Sequence, residues 1–297
     1  MQGRLAAMMA SPMQIYAEHF GLYGRPFSLQ PDPDYLFWSP GHTRAYAMLE
    51  YGLATLAPIT VITGEVGVGK TTLIRQLLRA APRQLTIGLI SNAHGERGRL
   101  LHWIMAALRQ DFADRASYVR CFSQFEALLR SERSAGRHTV LVFDEAQNLS
   151  QKMLEELRCF SNMNSEGDEL LQIILVGQPE LGRLIGNSRM VQFEQRVAAR
   201  FHLAAMPREA AGDYIAHRLK VAGAGREIFT AEACDEVHGA SRGLPRVINQ
   251  ICDYALVYAF AEGLHLVEAD LVRKVVAERS QAMGMVRQPV EEAMQES

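Results

Sequence analysis

Lysine is nearly missing from this 297-residue chain: Lys70, Lys152, Lys220 and Lys274 stand among 31 basic residues, and the other 27 are arginine. A lysine inside a motif is therefore a stronger signal than usual, and an arginine alone a weaker one. No stretch of about 18 apolar residues without charge occurs, so no transmembrane helix is expected. The four cysteines, Cys121, Cys159, Cys234 and Cys252, have no metal-ligand spacing. The nine histidines form no HExxH pattern, which argues against a zinc hydrolase and leaves them as ordinary core or surface residues. No Ser-His-Asp elbow is visible either. The opening MQGRLAAMMASP lacks an apolar stretch of signal-peptide length, so reduced thiols and a cytoplasmic location are expected, with Met8, Met9 and Met13 as alternative starts. A net charge of −2 excludes a uniformly basic nucleic-acid binder but leaves room for a local basic patch.

What is present is an alternation. Residues 58–64, 85–91, 139–145 and 171–177 are short apolar runs that read as buried strands, with 200–206 a weaker fifth. Helical periodicity covers 70–80, 99–109, 122–134 and 150–162. Continuous apolar strands separated by helices imply a parallel sheet covered on both faces. The expected fold is thus α/β, a doubly wound three-layer sandwich with a five-stranded parallel sheet. Beyond residue 207 strands give way to helices at 209–222, 230–239, 245–262 and 268–279, punctuated by glycines. The expected domains are an extension over 1–15, a core over 16–207, a small all-helical domain over 208–280 and a frayed tail over 281–297.

GEVGVGKT, from Gly64 to Thr71, ends one predicted strand and opens one predicted helix. In that context Gly64, Glu65, Val66, Gly67, Val68 and Gly69 wrap backbone N–H groups around phosphates at a helix N-terminus, with Thr72 following in its first turn. Lys70 reaches the β- and γ-phosphates, and the Thr71 hydroxyl ligates Mg²⁺. A chain of this composition contains the pattern by chance about 0.002 times. ATP and Mg²⁺ are the expected ligands.

TVLVFDEAQ places Asp144 and Glu145 at the end of a strand, where ligands of open α/β sheets bind. Asp144 is expected to hold Mg²⁺, and Glu145 to orient or deprotonate the attacking water. The competing reading is a helix cap, since Asp144, Asn148 and Ser150 all favour helix starts. Gln178, after the next strand, can hydrogen-bond the γ-phosphate or the water. Arg196 and Arg200 are four residues apart and would share a face on a helix. Placed before the last strand, they are candidates for fingers reaching a neighbouring subunit's nucleotide. In GLPRVIN, Pro245 opens a helix and Arg246 projects from its start, against the helix dipole, which suits an anionic partner. Trp38 and Trp103 read as packing residues.

Taken together, these motifs resemble an AAA+ ATPase. HFGLYGRPFSLQPDPDYLFWSPGHTRAYAMLEYGL, FDEAQNLSQKMLEELRCFSNM, ILVGQPELGRLI, QRVAARFHL and SRGLPRVINQICDYALVYA resemble the ATPase portion of the GspA/ExeA-type secretion ATPases, over residues 16–279. The resemblance implies a Walker A at Lys70 and Thr71, a Walker B at Asp144 and Glu145, sensor 1 at Gln178, a finger at Arg200 with Arg196 second, and sensor 2 at Arg246. It implies that residues 16–27 pack near the adenine. It also implies a homo-oligomer, ring or filament, serving a secretion or exopolysaccharide-export apparatus through a membrane-associated protein partner at the inner membrane. Shorter relatives of this type resemble ATPases of exosortase systems. The same branch resembles the transposition regulators MuB, TniB and TnsC, so duplex DNA is the alternative partner. Arg75, Arg79 and Arg83, or the HGERGR segment at 94–99, would then line a pore.

Overall fold

The computed structural model describes residues 16–91, 100–110, 117–163 and 169–286. These divide into two compact units, one from Pro40 to Ala204 and one that joins the residues before Pro40 to those from Ala205 onward.

The first unit is built on five parallel strands: β1 (Ile59–Gly64), β2 (Leu85–Ser91), β3 (His138–Asp144), β4 (Leu171–Gly177) and β5 (Val197–Leu203), in the spatial order β2-β3-β4-β1-β5. β1 and β4 are buried along their whole length. Because strand side chains alternate in direction, one strand feeds two cores. Ile59, Val61, Leu141, Phe143, Ile173 and Leu175 join the larger cluster. Ile62, Val140, Val142, Ile174 and Val176 join the smaller cluster on the opposite face. The larger face is covered by four helices of the unit, Leu100–Ala107, Tyr118–Ser134, Gln151–Ser161 and Pro179–Ile185. The smaller is covered by Leu49 of the helix Pro40–Ala54 and by Ile74 and Leu77 of the helix Lys70–Ala80. Ser117 and Ser150 cap two of these helices through their side-chain oxygens.

One buried polar side chain interrupts β4. Gln172 donates to the carbonyls of Gly52 and Ala57 at 2.9 and 3.4 Å, in the last turn of the helix Pro40–Ala54 and just beyond it. β5 lies at the sheet edge and alternates between covered and exposed positions. It starts at Val197, three residues before the expected strand, because Val197 already pairs with Ile59.

The second unit contains the helices Arg208–Val221, Ala231–Ser241, Pro245–Ala261 and Ala269–Val286. The expectation of a single core over 16–207 needs correction. Tyr16, Ala17, Phe20, Leu22 and Phe27 are buried together with Ile215, Leu219, Ile248, Ile251 and Val272, so this segment belongs to the helical unit. Polar anchors fix it there. Arg218, itself buried, donates to the carbonyl of Pro26 at 2.6 Å. Tyr16 and Arg25 both donate to Asp253. Among the described residues no helix is long and apolar enough to cross a membrane.

Candidate nucleotide-binding site

The loop from Glu65 to Gly69 joins β1 to the helix Lys70–Ala80, and its shape depends on residues without side chains. Gly69 has φ +106°, a left-handed conformation that other residues adopt at a cost. A Cβ there would also lie 2.7 Å from Nε2 of His42. His42 is buried, which lowers its pKa and keeps the imidazole neutral. In the tautomer that donates from Nε2, it hydrogen-bonds the carbonyl of Val68 at 3.1 Å. His42 thus braces the loop from behind.

Lys70 is buried at the loop's mouth and donates to the carbonyls of Gly64 and Glu65 at 2.6 and 2.9 Å. Burial lowers its pKa, while Glu145, Asp144 and Glu65 push it back up. Thr71 donates from Oγ1 to Oδ2 of Asp144 at 2.9 Å. Burial raises the Asp144 carboxyl above its ordinary range, opposed by the Thr71 hydroxyl and by the Glu145 N–H, which donates to Oδ1 at 3.0 Å. A hydroxyl and a carboxylate this close, beside a phosphate-type loop, are the hard oxygen donors that Mg²⁺ takes alongside phosphate oxygens. The residues fit that ion. Thr72 follows, half-buried, on the same turn.

Glu145 closes the other side. It adopts φ 57°, ψ 38°, a left-handed conformation that costs a non-glycine residue about 1–3 kcal/mol and is concentrated at functional sites. Its Oε2 accepts from the side-chain amides of Gln147 at 2.6 Å and Gln178 at 3.4 Å. Gln178 stands at the end of β4 as the residue before the helix Pro179–Ile185. Lys70, Thr71, Asp144, Glu145 and Gln178 therefore meet at the carboxyl ends of β1, β3 and β4.

The remaining expected site residues lie on or beside other elements. Arg196 and Arg200 do not share a helix: the short helix Val191–Glu194 has ended, and Arg200 lies within β5. Arg200 is exposed and pairs with exposed Glu194 at 3.4 Å. Arg246 is exposed in the first turn of the helix Pro245–Ala261, in the helical unit. Arg75, Arg79 and Arg83 are exposed, whereas the 94–99 segment lies outside the described residues. His42 and Gln147 were not expected here. The signal for His42 was its place in SPGHTRAY, and for Gln147 its position two residues after Glu145.

Residues 54–185 match the AAA domain family. The chain is 38% identical over 258 residues to general secretion pathway protein A of Aeromonas hydrophila, covering 86% of this chain and 47% of that protein. It thus spans about half the length of this relative. Among solved structures, the Aeropyrum pernix ORC2 protein in ADPNP–ADP complexes matches with a TM-score of 0.64 at 19% identity, over 86% of this chain and 71% of that one. Cdc6p from Pyrobaculum aerophilum matches with a TM-score of 0.65 at 18% identity, over 85% and 70%.

Proposed function

We propose, from its 38% identity to general secretion pathway protein A and its match to the AAA domain family, that the chain is an AAA+ module of the GspA/ExeA type that binds Mg²⁺–ATP at the 64–72 loop and hydrolyses it to ADP and phosphate. The observation that carries this reading is the meeting of Lys70, Thr71, Asp144, Glu145 and Gln178 at the ends of three adjacent strands. Lys70 would exchange its loop carbonyls for the β- and γ-phosphates, which restores a full partner to a buried ammonium. Thr71 and Asp144 would hold Mg²⁺, which when bound neutralises charge on the phosphate oxygens. Glu145 takes the proton of the attacking water, and Gln178 orients that water against the γ-phosphate. Arg200, with Arg196 second, serves a neighbouring copy's nucleotide in a homo-oligomer, and Arg246 takes the sensor 2 role that the family resemblance assigns it. The exposure of all three arginines supports such external duties.

The biological role follows the relative: an assembly or remodelling ATPase of a secretion or polysaccharide-export system, working at the cytoplasmic face of the inner membrane on a protein partner. Identity of 38% over most of this chain supports it. The test is ATP turnover by the purified chain with and without duplex DNA, together with DNA binding over a salt series. Turnover indifferent to DNA is the expected result. ATP-dependent DNA binding with a steep salt slope would transfer the protein to the DNA-assembling class.

A further inference from the structure

Gln147 has no part in the roles above, yet it touches two of their residues. Its Nε2 donates to Oε2 of Glu145 at 2.6 Å, and its Oε1 accepts the backbone N–H of Gln178 at 3.0 Å. The amide orientation is thereby fixed, because only the oxygen can accept from Gln178 and only the nitrogen can donate to a carboxylate. The reach is made by the backbone. Glu145 in its left-handed conformation turns the chain into the short helix Ala146–Asn148, which brings the side chain two residues on back to the carboxylate. Space is made by the partner strand: a Cβ on Gly177 would sit 2.9 Å from Gln147 Oε1. The Gln147 and Gln178 amides converge on the same oxygen of Glu145, Oε2.

We infer that Gln147 is a positioning residue for hydrolysis, aiming the Glu145 carboxylate and coupling that aim to the end of β4, where Gln178 meets the nucleotide. It acts through Glu145 and contacts no phosphate. The inference rests on Glu145 being the base.

The test uses Gln147→Glu, Gln147→Met and Glu145→Gln, singly and with Gln147→Met combined with Glu145→Gln, in single-turnover assays with radiolabelled ATP and in titrations with a fluorescent ATP analogue. Gln147→Glu keeps the acceptor for Gln178 but turns a donor to Glu145 into a repelling carboxylate. Gln147→Met removes both contacts at similar volume. Both should slow the chemical step about 10- to 100-fold, the cost of a misplaced reacting group, with nucleotide affinity unchanged. In the Glu145→Gln background, Gln147→Met should cost nothing further, because its target is gone. A wild-type rate for Gln147→Glu would reduce Gln147 to a strand tie, and additive losses in the double variant would make its role structural; either overturns the inference. Glu145→Gln retaining full turnover would instead remove the reading on which it stands.

Discussion

Asp253 is the point at which the segment before Pro40 is fastened to the helical unit, and replacing it measures how strongly. Asp253 is 6% exposed, and its carboxylate accepts from Tyr16 Oη at 2.5 Å and from Arg25 at both oxygens. Burial, then the Asp253 carboxylate, raise the Tyr16 pKa well above its ordinary value, so the phenol stays a donor. The two partners contribute unequally. Arg25 is half exposed, so its ion pair is screened and contributes about 0.2–1 kcal/mol. A buried hydrogen bond to a charged acceptor contributes about 1.5–3 kcal/mol, against about 1 kcal/mol for a neutral one. Asp253→Asn keeps an acceptor for Tyr16 and should cost about 1–2 kcal/mol. Asp253→Ala strands the buried hydroxyl and should cost about 3 kcal/mol or more. For a unit of this size each kcal/mol moves the midpoint about 4–8 °C, so the helical unit should melt about 4–16 °C earlier with Asn and further still with Ala. Scanning calorimetry reads the shift, and Arg208→Ala serves as control, since its pair with Asp235 lies at the surface and should leave the midpoint in place. Equal, negligible shifts for Asp253→Ala and Arg208→Ala would refute the claim that this anchor holds the segment.

Three further outcomes follow. Lys70→Ala should abolish binding of the fluorescent ATP analogue, and undiminished affinity would contradict the phosphate-loop reading. Arg200→Ala should lose turnover while keeping nucleotide, and mixing it with Glu145→Gln should restore partial activity if the arginine acts on a neighbour; mixed samples as inactive as each alone would leave a finger in trans without support. Glu132 accepts from Arg137 and Thr86, and these bonds pull its pKa down to about 2. A folded pKa below the unfolded one gives stability present above pH 4.5 and lost as pH falls toward 2, so Glu132→Gln should lower the neutral-pH midpoint and flatten the acid limb of a urea-denaturation series.

The sequence made the sheet and the phosphate loop legible because both are local. Each buried strand is a mostly apolar run, and GEVGVGKT joins a strand to a helix within eight residues. The helix Pro40–Ala54 escaped because its buried positions, His42, Ala45, Leu49 and Gly52, keep helical spacing with only one large apolar residue. The attachment of residues 16–39 to the helical unit had no local signal at all: the Tyr16–Asp253 bond spans 237 positions. Strand order was equally hidden, because insertion of β4 between β1 and β3 is decided by packing. Of the site, Lys70, Thr71, Asp144, Glu145 and Gln178 were readable from motif and strand end. Gln147 was not, because its reach depends on the left-handed backbone of Glu145. Arg196 and Arg200 do not share a helix face, because the helix before them stops at Glu194 and Arg200 lies in β5.

Hydrolysis of ATP with Glu145 as the base is the proposal on which the other site roles depend. Its most direct test compares wild type and Glu145→Gln for phosphate release from Mg²⁺–ATP at matched nucleotide occupancy. The predicted result is unchanged ATP affinity with release slowed at least ~10²-fold. Equal rates for the two proteins at equal occupancy would contradict it.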